Sequence, residues 1–281
     1  MRLLHSADWH LGINWRGFDR SYEHEQFLEG LLAALVAEAA DALLLAGDVF
    51  DVANPPAAAV RMFFGFVSRL RERRPHLQTV VIGGNHDSAA RLEAPGPVLA
   101  KLGVTVVGSC LDEIGRFDPD RLVVPLSGAD GRQEALCLAV PYMRLADLPR
   151  IDGAENPYAA GVADVYRQVA EAASRRRRVG QAVIAMGHCH LIGGEEAGSE
   201  RNVLIGGAEA LASGTFPEGI DYVALGHLHR AQRIPGPGLV MYSGSPIPLS
   251  FAEAGYDHSV LVLDTDRDGV RECRKVAVPQ A

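Results

Sequence analysis

Five short stretches of the chain concentrate residues that bind divalent cations: Asp8-Trp9-His10, Gly47-Asp48-Val49-Phe50-Asp51, Gly84-Asn85-His86-Asp87, Gly187-His188-Cys189-His190 and Gly226-His227-Leu228-His229. Each follows an apolar run of strand length, so each falls where a strand gives way to a loop. Imidazoles, carboxylates and one amide suit two borderline-hard cations sharing a bridging carboxylate. Such a pair polarises a phosphodiester and makes water nucleophilic near neutral pH. Residues two apart in extended chain point to the same side, so Asp8 with His10, and His227 with His229, can each converge on one ion or on a pair. The residues imply metal-dependent phosphoester hydrolysis.

Taken singly, each motif has an ordinary explanation. An Asp at a strand end commonly caps a helix or closes a turn, and a lone His is often a satisfied core or surface group. The weight comes from five motifs in order, all at strand ends. Asp87 reads as the N-cap of a helix over 88–92, Trp9 as a packing residue, His190 as open between a substrate contact and a loop residue, and His5, His24, His76 and His258 as ordinary. Cys110, Cys137, Cys189 and Cys273 form no C-x-x-C pair, which argues against a disulfide framework and a thiolate zinc site and for reduced thiols. Cys189 reads as a small buried apolar residue and not as a ligand.

The elements that must position these residues alternate. Residues 2–7, 42–46, 79–82 and 104–107 read as buried strands, with helices over 21–39 and from about 56 to 71 between them. The first helix repeats Phe27, Leu28, Leu31, Leu32, Leu35 and Val36 at helical spacing behind Ser21 as a candidate N-cap; the second opens on Pro56. This β-α-β-α-β order predicts a mostly parallel sheet with the first three motifs at the carboxyl ends of its strands. Further strands are expected at 122–126, 136–140, 182–186 and 222–225, with a helix over 157–174. Strands at 240–243, 259–264 and 270–278 would complete a second sheet, the last two joined by an Asp266-Arg267-Asp268-Gly269 hairpin turn. Pro95-Gly96-Pro97, residues 192–198 and Pro235-Gly236-Pro237-Gly238 read as loops.

The chain of 281 residues is 48% hydrophobic and 22% charged, proportions of a globular protein with a sizeable core. No apolar segment precedes Asp8 and no run approaches the roughly 20 residues of a membrane span, so a cytoplasmic protein without membrane association is expected. The net charge of −8 offers no overall basic footprint for nucleic acid, although bound cations reverse the sign locally. The run Arg175-Arg176-Arg177-Arg178 reads as the solvated end of a helix, with phosphate contact as the competing explanation. Phe63, Phe64 and Phe66 around Met62 suit either packing on the sheet or a homodimer face.

The order D-x-H, G-D-x-x-D, G-N-H-D, G-H, G-H-x-H resembles the signature of calcineurin-like metallophosphoesterases. Their flanks, His5-Ser6-Ala7-Asp8-Trp9-His10-Leu11-Gly12, Ala224-Leu225-Gly226-His227-Leu228-His229 and Tyr242-Ser243-Gly244-Ser245-Pro246, are similar to the SbcD/Mre11 nuclease subunits. The resemblance implies an α/β fold, a four-layer αββα sandwich with two stacked mixed sheets, covering 1–281 as one domain. It implies one metal on Asp8, His10, Asp48 and His229 and another on Asp48, Asn85, His188 and His227, with Asp48 bridging. Mn²⁺ is the expected ion, although Fe and Zn²⁺ accept the same donors. His86 acts on the substrate side, and Asp51 is the candidate to hold its imidazole. DNA, an SbcC/Rad50-like ATPase and a second copy are the implied partners; the family's capping and ATPase-binding segments are not in the sequence, which stops at Gln280-Ala281.

The expected function is therefore a Mn²⁺-dependent DNA exonuclease and endonuclease of that type, acting in DNA repair. A general metallophosphoesterase for small phosphodiesters or cyclic nucleotides is the alternative. A scaffold that has lost its metals is disfavoured because every ligand position is filled.

Overall fold

The structure, a computed structural model, describes residues 1–200, 210–236 and 238–278. Pro237 of the 235–238 loop, and the final Gln280 and Ala281, lie outside the described residues.

The chain runs β1 (Arg2–Ser6), a small hairpin of β2 (Asn14–Trp15) and β3 (Phe18–Asp19), α1 (Ser21–Ala37), β4 (Ala42–Ala46), α2 (Ala57–Arg73) and β5 (Gln78–Ile82). It continues with α3 (Ala89–Glu93), α4 (Gly96–Lys101), β6 (Val104–Val107), β7 (Val123–Ser127), β8 (Gln133–Ala139) and α5 (Pro157–Arg176). β9 (Ala182–His188), β10 (Tyr222–Gly226), β11 (Gln232–Ile234), β12 (Leu239–Tyr242), β13 (Ser259–Asp266) and β14 (Gly269–Ala277) follow. One six-stranded sheet has the order β14-β13-β1-β4-β5-β6, the other β11-β12-β10-β9-β8-β7. The adjacent strands β1, β4, β5 and β6 are parallel, as are β8, β9, β10 and β12.

Side-chain alternation builds the layers. Every residue of β4 is buried, as expected of a parallel strand covered on both faces. Leu43 and Leu45 turn, with Leu4, Val81 and Val262, toward Phe27, Leu31 and Phe66 of α1 and α2. Leu44, Ala46 and Ile82 point the other way, into a core shared with Leu136, Leu138 and Ile184 of the second sheet and with Val162, Val165 and Tyr166 of α5. The result is helix, sheet, sheet, helix: an αββα sandwich of two mixed sheets.

Several local expectations are corrected. β13 and β14 join the first sheet, not the second. The parallel series grows from β1 toward β6 and leaves the other edge of β1 open. β13 fills that edge antiparallel, with Arg2 opposite Asp264 and the Arg2 guanidinium forked onto the Asp264 carboxylate at 2.7 and 3.0 Å. Residues 95–97 begin α4, because a proline in the first turn loses no intrahelical bond. Ser21 is the first helical residue and not the cap; Asp19 accepts its N–H at 2.6 Å. Pro56 occupies the cap position of α2, and Val36 faces outward, 40% exposed. The Asp266 to Gly269 hairpin forms as expected, with Gly269 at φ +106°. Among the described residues no helix is long and apolar enough to cross a membrane.

Candidate metal centre

The loops after β1, β4, β5, β9 and β10 meet at the carboxyl ends of the parallel strands, where main-chain groups freed by strand ends can be redirected. Past β1 and β4 the two chains stay stitched: the N–H groups of Asp8, His10 and Leu11 donate to the carbonyls of Gly47, Asp48 and Val49 at 3.0–3.1 Å. Asp8, His10, Asp48 and His227 all have positive φ (55°, 44°, 50° and 101°). Non-glycine residues enter that region only when their surroundings force them. Trp9, between two of them, is fully buried edge-on against Phe27 and Phe66 and donates its indole N–H to Ser6 Oγ at 2.8 Å. That anchoring makes Trp9 the packing residue that turns Asp8 and His10 into the site.

The Asp48 carboxylate is the hub. Its Oδ2 lies 3.5 Å from His10 Nε2, 3.4 Å from His188 Nε2 and 3.9 Å from His86 Nε2, and its Oδ1 accepts the His86 main-chain N–H at 2.9 Å. Asn85 Oδ1 lies 2.9 Å from His188 Nε2 and 3.1 Å from His227 Nδ1. Asp8 accepts the main-chain N–H of His227 at 2.9 Å. His10 and His229 face each other with ring centroids 5.3 Å apart. Donor atoms close enough to share one ion occur on Asp8, His10 and His229, on His10, Asp48 and His86, and on Asp8, Asp48 and His188.

Burial is the largest influence on Asp8, His10, Asp48, His188, His227 and His229. It pushes the Asp8 carboxyl up to about 7 against the pull of His188 and His229. At Asp48 the same burial is outweighed by His188, His10 and His86, which hold the carboxyl far below its usual range. Burial would lower His188, but Asp48 and Asp8 prevail and raise it to about 9. His227 is driven down to about 3 by burial and then by His188; burial also lowers His10. A divalent cation would relieve these conflicts by favouring ionised Asp8 and neutral imidazoles together. The Nε2 of His10, a residue at 2% exposure, makes no hydrogen bond among the described residues. An unbonded imidazole nitrogen amid carboxylates and other imidazoles belongs to the donor set a borderline cation takes, so the residues fit a metal pair.

The outer contacts fix ring orientations. His188 Nδ1 donates across to the other sheet, to the Ala46 carbonyl at 2.9 Å, which aims Nε2 into the site. His86 Nδ1 bonds the main-chain carbonyl of Asp51 at 2.7 Å, while the Asp51 carboxylate lies 3.3 Å from His10 Nδ1. Asp51 thus touches His86 through its backbone and His10 through its side chain. Asp87 corrects an expectation: Ser88 takes the cap position of α3, and the Asp87 carboxylate instead accepts the N–H groups of Gly84, Val49 and Phe50 at 3.0–3.1 Å. It ties the β5 loop to the β4 loop.

Sequence reasoning missed Glu253. It is fully buried, with Oε1 3.0 Å from His229 Nδ1 and Oε2 accepting from Ser245 Oγ at 3.2 Å and Leu249 N at 2.9 Å. The usable signal was one acidic residue inside the apolar stretch from Ile247 to Ala254. Because it holds His229 in one tautomer, Glu253→Gln is expected to weaken metal binding about 10- to 100-fold, measured by calorimetric titration with Mn²⁺.

Other candidates lie apart from the centre or at its edge. Burial pushes the Cys189 thiol up to about 12, as expected of a packing cysteine. His190 sits at the rim, Nδ1 3.2 Å from Glu196. The arginine run ends α5 and precedes β9, roughly 20 Å of strand away from His188. There Arg176 donates to the carbonyls of Asp120 and Val123, and Arg177 to that of Gln181. Phe63 and Phe66 are buried under Trp9, so they serve packing.

The sandwich and its cation-binding cluster define a metallophosphoesterase, and the chain belongs to the calcineurin-like phosphoesterase family, whose sequence pattern matches residues 1–231. Within it, the chain is 45% identical over 269 residues to the SbcD component of the SbcCD nuclease of Rhodobacter capsulatus, covering 94% of this chain and 66% of that one. The Escherichia coli K12 protein of the same name is 36% identical over 286 residues, covering 99% and 68%. The chain spans about two thirds of the length of these relatives. A solved dimetal phosphatase from Danio rerio, 12% identical, shares the fold at a TM-score of 0.53 over 99% of both chains.

Proposed function

We propose that this chain is the catalytic domain, residues 1–281, of a Mn²⁺-dependent DNA exonuclease and single-strand endonuclease that acts in DNA repair in the cytoplasm. The observation that carries the reading is the gathering of five strand-end loops around Asp48, in a relative of proteins named as nuclease subunits. Asp8, His10, Asp48 and His229 would hold one cation, and Asp48, Asn85, His188 and His227 the second. Bound there, the cations supply Lewis-acid polarisation of the phosphodiester and a water acidic enough to attack it.

The chain's own groups orient and move protons. His86 is held by its Nδ1 bond to the Asp51 carbonyl, which directs Nε2 toward the centre, where the imidazolium form, with a proton on each nitrogen, can give the Nε2 proton to the departing oxygen. Asp51 supports it and, through its carboxylate, His10. The loop tether by Asp87 keeps Asn85 and His86 in register with Asp48. An SbcC/Rad50-like ATPase and a second copy are the proposed protein partners, by kinship to components of a complex.

The test is degradation of end-labelled duplex and single-stranded DNA by the purified chain with Mn²⁺, beside His86→Ala. Loss of about 10²- to 10⁴-fold in the variant is expected. The net charge of −8 favours a second reading, a small phosphodiester as substrate. Turnover of a small diester with DNA left intact would select it.

A further inference from the structure

An exposed aromatic surface stands on two segments that also carry groups of the candidate metal centre, and none of the proposed chemistry uses it. The β2–β3 hairpin turns through Arg16 and Gly17, both at positive φ (50° and 92°), the geometry of a tight two-residue hairpin. It sets Trp15 opposite Phe18. Phe18 is 70% exposed, and Phe251, on a separate loop, is 77% exposed. Trp15 and Phe251 meet edge to face with centroids 4.3 Å apart, and the Arg16 guanidinium sits 5.4 Å from the Trp15 ring centre. Arg20 Nη1 donates to the Pro248 carbonyl at 2.9 Å and so ties the hairpin to the loop that carries Phe251.

Both rings are chained to the metal centre. Trp15 lies five residues beyond His10. Phe251 lies two residues before Glu253, whose carboxylate holds His229. Leaving the Phe18 and Phe251 rings in water forgoes their burial, and the guanidinium over the half-buried Trp15 ring adds positive charge to this surface of an acidic chain. A flat ligand carrying negative charge at one end answers both features.

We propose that Trp15, Phe251 and Arg16 form a stacking platform for a nucleobase of an unpaired DNA strand, beside the phosphodiester to be cleaved. This rests on the phosphodiesterase reading above. Aromatic rings stack on any base once its face is free, whereas paired bases in a duplex hide theirs. Arg16 adds its cation–π contact and an attraction to the phosphates. The platform therefore gives affinity for single strands without sequence preference.

The experiment titrates the full chain with oligothymidylate and with an abasic strand of equal length, following binding by tryptophan emission and by anisotropy of labelled strands. The chain has two tryptophans; Trp9 is fully buried, so quenching reports Trp15. Oligothymidylate is expected to quench the emission. Trp15→Ala and Phe251→Ala are each expected to weaken its binding about 5- to 100-fold, to leave abasic-strand binding as it was, and to regain most of the loss when Trp15→Phe replaces Trp15→Ala. No quenching, or equal weakening for both strands, would overturn the platform. Failure of the unaltered chain to hydrolyse a small diester such as bis(p-nitrophenyl) phosphate would instead refute the phosphodiesterase reading on which it rests.

Discussion

Asp48→Asn is expected to lower phosphodiester hydrolysis by about three powers of ten or more and to leave the chain with fewer than two tightly bound cations. Among the described residues Asp48 is the one carboxylate within 4 Å of three imidazoles, and in the proposed centre it alone belongs to both ligand sets. An amide of the same shape offers one oxygen without charge. Lewis-acid stabilisation of the transition state amounts to several kcal/mol, and each 1.36 kcal/mol corresponds to about a tenfold rate. Metal content by elemental analysis and steady-state hydrolysis of a small diester check both parts.

The same substitution has a pH signature in the metal-free protein. The Asp48 carboxyl is depressed from 3.8, so its contribution to stability is present above that pH and lost on acidification. His188 is raised from 6.5 to about 9, so its contribution is full below 6.5 and lost as pH rises through about 9. The stability lost in Asp48→Asn is therefore largest between about pH 4 and 6.5 and shrinks toward pH 9. Urea unfolding in chelator across that range measures it.

Gly84→Ala is expected to abolish hydrolysis although it adds a single methyl group. A Cβ at Gly84 would lie 2.1 Å from Asp48 Oδ1 and 2.3 Å from the Asp48 main-chain nitrogen. Backbone cannot yield as a flexible side chain does, so the β5 loop must move off the β4 loop and the Asp87 tether to Val49 and Phe50 with it. Overpacking of this kind costs about 1–3 kcal/mol of stability, while the displaced Asn85 and His86 lose the alignment that catalysis needs. Gly65→Ala is the matched control. It lies within α2 with nothing within 4 Å of its added Cβ, and alanine there should gain roughly 0.5–1 kcal/mol of helix stability. Thermal melts and diester turnover of the two variants together separate collision from mere loss of glycine.

How far the sequence discloses this molecule depends on the range of the interaction. β4 runs over the residues expected of it because a strand buried on both faces is written as an unbroken apolar run, and α5 announces itself by its own periodicity. The five loops that meet at the candidate centre were legible because the donor types cluster within two or three residues. Glu253 was not: its partner His229 is 24 residues away, and only the folded loop brings carboxylate to imidazole. Asp87 looked like a helix cap because local spacing cannot show that Val49 and Phe50, nearly forty residues earlier, present unpaired N–H groups to it. The placement of β13 beside β1 joins the two ends of the sequence, which no window of local pattern can see. Local pattern likewise cannot show that Gly84 and Gly226 each lie where another segment passes too close for a Cβ; at Gly226 that neighbour is the Ala46 carbonyl, 2.1 Å from an added Cβ.

The most direct test of the account is to strip the purified chain with chelator, restore Mn²⁺ in steps, and follow bound metal and diester hydrolysis in the same samples. Activity that is absent without metal, rises as the second cation binds per chain, and is lost in His86→Ala at unchanged metal content is the predicted result. Hydrolysis that survives chelation, or two cations bound with no hydrolysis of small diester or DNA, would contradict it.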